Sequence, residues 1–298
     1  VFTKSGQLSW LEQILQKVRD YKMLVKFRLT VTVVFSSVVA FLIASQASDL
    51  LAVGILAAGG FLVTGAANTL NQVLEKDFDR LMKRTADRPL AAGRMAVSEA
   101  VLSAGMMSLA GITLLAMFNP WTAFFGTFSL VLYAFVYTPM KRISPSAVFI
   151  GAIPGALPTL IGVVAAQGGL TPLALSLFAL QFLWQFPHFW SIGWLGFEDY
   201  RKAGYSLVPA SAEGKPDAVI GKQALYYSLM LLPVSMLPYY LGTTGVVSLG
   251  IVILLSLCYV AFSWNFFRKA DRRSALQLMF FSFLYIPVSL IAFWADKI

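Results

Sequence analysis

Four polar side chains, Asn68, Asn71, Glu75 and Asp79, recur at three- and four-residue spacing as the long apolar run Leu50 to Ala67 ends. At ~100° per residue, a continuous helix brings them within roughly 80° of one another and turns Asp77 to the opposite side. Two amides followed by two carboxylates form a stripe of oxygen ligands. Such a stripe can hold Mg²⁺, and Mg²⁺ in turn can hold the phosphates of a substrate. Arg80, Lys83, Arg84 and Arg88 come next, and the planar forks of Arg84 and Arg88 suit phosphate. A frayed helix end with solvated acids would account for one carboxylate. It accounts poorly for four polar groups on one face followed by four cations.

A second constellation reads Trp184-Gln-Phe-Pro187-His188-Phe-Trp190, then Glu198-Asp199-Tyr200-Arg201-Lys202. Asp199, with Glu198, either completes the metal site or pairs with Arg201 and Lys202 at the interface. His188 is the only histidine, which excludes a multi-histidine metal centre. An ionisable side chain inside a membrane helix is a functional candidate. It could carry a proton or ligate a porphyrin iron, or it could brace a neighbouring helix. His188 and Asp199 share a face only if the helix runs unbroken past Gly193 and Gly196. Lys141 and Arg142, after Tyr137-Thr138-Pro139-Met140, either neutralise a diphosphate or anchor a helix end.

The elements that must position these groups are membrane helices. The 298 residues are 58% hydrophobic and only 12% charged, against about 25% charged in soluble domains. The net charge of +9 is a topological signal rather than a nucleic-acid one, because basic residues collect in cytoplasmic loops. The lone Cys258 excludes an intrachain disulfide. Nine apolar runs, each near the ~20 residues that cross a bilayer, are expected at about 29–46, 50–75, 97–118, 121–138, 146–166, 172–197, 223–241, 244–267 and 274–295. None alternates as a barrel strand would, so the fold class is an all-α bundle of transmembrane helices. Lys and Arg crowd every second connection and are missing from the tight turns between, which puts the N-terminus in the cytoplasm. Leu8, Leu11, Ile14, Leu15 and Val18 recur at helical spacing. Residues 1–24 are therefore expected to be an interfacial amphipathic segment, and 25–298 a single transmembrane domain.

Together these residues carry a family pattern. Asn71-Gln-Val-Leu-Glu75-Lys-Asp77-Phe-Asp79-Arg80, then Arg84-Thr85 and Arg88-Pro89-Leu90, resembles the first aspartate-rich motif of the UbiA superfamily of intramembrane prenyltransferases. The segments at 137–142, 184–190 and 198–204 resemble its heme-farnesylating branch. The resemblance implies nine helices around a central cavity that opens to the cytoplasmic side and to lipid. It implies Mg²⁺-dependent transfer of farnesyl from farnesyl diphosphate to a vinyl group of heme b. Asn71, Glu75, Asp79 and Asp199 would then be the catalytic metal ligands. Asn68, Arg80, Lys83, Arg84, Arg88, Lys141, Arg142, His188, Glu198, Arg201 and Lys202 would be substrate contacts. The implied surroundings are a bacterial inner membrane, rather than a mitochondrial one, and a heme-handling membrane partner. Two positions depart from the pattern. Glu75 stands where many members have Asp, and Leu195 stands four residues before Asp199, so the second acidic motif is incomplete. The competing readings are a prenyltransferase for a quinone precursor or chlorophyllide and, in another class, a transporter of an anionic lipid. The transporter would bind near the bilayer midplane rather than at one interface.

Overall fold

The computed structural model describes residues 10–46 and 49–298. Helix α1 (Trp10–Leu24) is followed by α2 (Phe27–Ala44), α3 (Leu50–Asp79) and α4 (Val97–Ala116). Next come α5 (Pro120–Val131), a π-helical turn (Leu132–Tyr137) and the short α6 (Thr138–Met140). The chain continues through α7 (Ala147–Gln167), α8 (Pro172–Leu195), α9 (Phe197–Lys202), α10 (Val219–Ser235), α11 (Leu237–Tyr240), α12 (Val246–Lys269) and α13 (Arg272–Ala295). No strand occurs among the described residues.

Seven of the described helices are long and apolar enough to cross a membrane: α2, α3, α4, the continuous stretch Pro120–Met140, α7, α12 and α13. The other two expected spans are helical but fall outside that set. Helix α8 is long enough, with 24 residues, but carries Gln181, Gln185 and His188, all buried. It lies inside the bundle against α7, α10 and α13, so its polar groups meet protein rather than lipid. Helix α10 has 17 residues and ends before α11 begins. Of the expected interfacial segment, residues 1–9 lie outside the described residues. The remainder is α1, which exposes Trp10, Leu11, Ile14, Leu15 and Val18. It is tied to the bundle by Lys17–Glu99 (2.8 Å) and Arg94–Asp20 (2.9 Å).

Apolar side chains cover the outside as well as the core, so burying them cannot by itself drive helix association in a bilayer. Close packing and interhelical hydrogen bonds do so instead. Ser228 meets Ser263 at 2.6 Å, and Ser256 meets Tyr285 at 2.8 Å. At the α2–α7 contact a Cβ on Gly162 would collide with the Ser37 carbonyl. Gly162→Ala should therefore cost about 1–3 kcal/mol, measured as thermal stability in detergent. Gly54→Ala, where a Cβ has open space, should not.

Candidate active site

The functional side chains gather where the ends of α3 and α6 meet the α1–α2 turn and the loop after α9. On α3, Asn71, Glu75 and Asp79 are buried on one face, and Asp77 is exposed, as the helical period requires. Glu75 forms an ion pair with Lys141, Oε1 to Nζ 2.6 Å, and its other oxygen accepts from Asn71 Nδ2 at 2.9 Å. Asp79 receives both its hydrogen bonds from Arg88 Nη1, at 2.9 and 2.8 Å. Each buried carboxylate thus has its own cation, as burial of a charge demands.

A third cation was missed from the sequence. Lys26, in the turn between α1 and α2, adopts φ 48, a left-handed conformation rare for a side chain of its size. That turn aims Nζ at Asn71 Oδ1 (2.8 Å) and the Tyr133 hydroxyl (3.4 Å). Burial of the ammonium, with Arg88 and Lys141 close by, pushes it well below the usual lysine range. In the sequence Lys26 looks like one more basic residue before the first span. The only local signal was its place just before the apolar run.

The π turn explains the arrival of α6. Pro139 has no N–H and its ring crowds the carbonyl four residues earlier, so the helix widens ahead of it. Thr138 then reaches Asn71 Nδ2 (3.0 Å) and the Tyr133 carbonyl (2.8 Å). Tyr133 and Tyr137 line up behind it with ring centroids 5.4 Å apart. Lys141 Nζ lies 4.8 Å from the Tyr137 ring.

Several expected contacts lie elsewhere. Asn68 is buried but donates to the Val25 carbonyl and the Thr30 hydroxyl. It holds the turn that presents Lys26 and has no free amide hydrogens for a substrate. Arg80 is committed to the Ala91 carbonyl (2.7 Å) and to Asp77. Arg142 stacks on Phe78 at 4.4 Å. Glu198 pairs with Arg201, which also donates to the Gly214 carbonyl. Lys83 and Lys202 are exposed at the rim. Arg84, also exposed, donates to the Tyr200 hydroxyl (3.1 Å) and so links the loop after α3 to α9.

Asp199 is half-buried on α9, and no three His, Cys, Asp or Glu side chains converge as a metal cluster among the described residues. The break at Gly196, between α8 and α9, removes the shared face expected for His188 and Asp199. Asn71, Glu75 and Asp79 nevertheless offer hard oxygen donors in sequence along one face, and the buried Glu75 Oε1 is held only by the Lys141 ammonium. That donor set fits Mg²⁺.

His188 lies deeper. It is buried, stacked on Trp184 with centroids 4.8 Å apart, and Nδ1 is 2.7 Å from Ser282 Oγ. The Ser282 hydroxyl donates to the Met279 carbonyl at 2.6 Å. Its proton is therefore taken, and Nδ1–H must donate to the serine oxygen. Nε2 keeps its lone pair.

Buried acids thus stand paired with neighbouring bases at one end of an apolar helical bundle. The chain belongs to the UbiA prenyltransferase family, whose model matches residues 32–285. It is 43% identical to the protoheme IX farnesyltransferase of Cytophaga hutchinsonii, covering 93% of this chain and 97% of that one. It is 41% identical to that of Christiangramia forsetii, covering 93% of each. The fold is also that of a digeranylgeranylglyceryl phosphate synthase structure (TM-score 0.78, 20% identity, 94% of this chain and 98% of that one). A UbiA homologue from Archaeoglobus fulgidus bound to GPP and Mg²⁺ shares it too (TM-score 0.64, 15% identity, 92% and 99%).

Proposed function

We propose that this chain transfers farnesyl from farnesyl diphosphate to a vinyl group of protoheme IX, giving heme O. The observation that carries the reading is the near full-length likeness to bacterial protoheme IX farnesyltransferases. The site geometry supports the diphosphate half of it: Lys26, Arg88 and Lys141 surround Glu75 and Asp79. Asn71, Glu75 and Asp79, together with Asp199, would hold Mg²⁺. When bound, Mg²⁺ neutralises the diphosphate and stabilises it as a leaving group.

Lys141, Arg88 and Lys26 are the cations placed to meet the diphosphate oxygens. The farnesyl C1–O bond breaks with its electron pair leaving on diphosphate, where these fixed cations stabilise the new charge. The vinyl π electrons form the new bond to C1. Water adds to the cation left on the porphyrin side and loses a proton, which gives the hydroxyethylfarnesyl group. The apolar walls keep water from the allylic cation until then. Lys83, Arg84, Arg201 and Lys202 draw the anionic head in from the rim.

His188, with Nδ1 held by Ser282, would offer Nε2 to the iron of the heme substrate. The chain spans a bacterial inner membrane nine times, with α8 and the α10–α11 pair as the two less apolar spans and the N-terminus in the cytoplasm. Residues 1–24 lie on the membrane, 25–298 form the catalytic domain, and a heme-handling membrane partner delivers the acceptor. An anionic-lipid transporter fits less well, because the acids sit at the bundle's end.

Purified protein given heme b, farnesyl diphosphate and Mg²⁺ should yield a pigment heavier by farnesyl plus hydroxyl, the mass of one farnesol, in mass spectrometry. Prenylation of a quinone precursor or chlorophyllide in place of heme would replace this reading. Uptake into sealed vesicles without product would favour the transporter.

A further inference from the structure

Tyr205 is a buried group that the chemistry above leaves without a task. It is 8% exposed, and among the described residues its hydroxyl makes no well-formed hydrogen bond, only a loose approach to the Glu75 carboxylate. Leaving such a group poorly bonded is unfavourable. The packing does not require the hydroxyl. The ring sits in an apolar cluster with Met82 and Ala203, and stacks near Phe78 (6.0 Å) and Tyr200 (6.3 Å). Phenylalanine would fill the same space.

The position is nevertheless tightly held. Tyr205 N donates to the Tyr200 carbonyl at 2.9 Å, and Ser206 N donates to the Lys141 carbonyl at 2.8 Å. The loop is thereby pinned to the residue that pairs with Glu75. Lys141 Nζ lies 5.7 Å from the Tyr205 ring, and the hydroxyl faces the Glu75 carboxylate. Glu75 Oε1 is in turn held by Lys141 Nζ at 2.6 Å. A buried phenol without a well-formed hydrogen bond thus lies beside the carboxylate and the ammonium of the Glu75–Lys141 ion pair.

We propose that the Tyr205 hydroxyl donates a hydrogen bond to a diphosphate oxygen of the prenyl substrate, which makes Tyr205 a further catalytic residue. The inference rests on the diphosphate site described above. No proton is transferred. As the C1–O bond breaks and its electron pair moves onto diphosphate, the acceptor oxygen gains charge and the bond from the phenol strengthens.

The test uses the full-length protein in lipid nanodiscs with inorganic pyrophosphate and Mg²⁺ as the probe. Tyr205→Phe should weaken pyrophosphate binding about tenfold per folded protein and lower kcat. Binding of farnesol, which lacks the diphosphate, should be unchanged, whereas a merely structural role would move both ligands together. Glu75→Gln is the reference for the site itself. If Glu75→Gln loses pyrophosphate and Tyr205→Phe binds it like the native protein, the role of Tyr205 is overturned and the site stands. If Glu75→Gln also binds normally, the diphosphate site is in the wrong place. Equal losses of farnesol and pyrophosphate affinity in Tyr205→Phe would likewise overturn the proposal.

Discussion

Glu75→Gln and Asp79→Asn are each expected to lower kcat by about 10³-fold while the protein still inserts and binds heme. Removing a single well-placed charge-stabilising group commonly costs 10²–10³-fold. These two carboxylates do more, because each would hold a divalent cation and also fix the position of a base. Both are at most 5% exposed, and both substitutes keep shape and an acceptor oxygen, so the core stays filled. Asp77→Asn is the internal control. Asp77 is exposed and its contact, Arg80 at 3.4 Å, lies on the helix surface. A break there is worth little, and turnover should stay within about twofold of native, since exposed ion pairs contribute ~0–1 kcal/mol. Equal losses at Asp77 and Asp79 would refute the one-face arrangement.

His188→Ala carries the second large effect. If His188 holds the heme iron, its loss should weaken heme binding by at least about 100-fold, since losing even an outer partner of a metal ligand costs about 10–100-fold in metal affinity. The heme absorption spectrum should change with it, and farnesyl diphosphate binding should persist, because the diphosphate groups lie on other elements. If His188 only braces α8 against α13 through Ser282, the variant will lose thermal stability instead. It will then bind both substrates in proportion to folded protein. Titrating heme and farnesyl diphosphate against the same folded fraction separates these outcomes.

Much of this site was legible in the chain alone, and the reason is locality. The stripe Asn71, Glu75, Asp79 depends only on a helical period acting over nine residues, and the burial of all three follows it. The membrane class follows from composition, and the motifs pointed to the family that matches residues 32–285. What the period could not reveal were the partners of those residues, which come from distant parts of the chain. Lys26 reaches Asn71 across 45 residues because a left-handed turn aims it there. Lys141 meets Glu75 because Pro139 widens the helix that brings it in. Asn68 shares the stripe's face by spacing, yet its amide is taken by Val25 and Thr30. The expected link between His188 and Asp199 assumed one straight helix, and the break at Gly196 removed it. Helical spacing fixes which side chains share a face. Only the packed bundle decides which donors and charges stand opposite, because a buried polar group takes whatever partner the fold brings within reach.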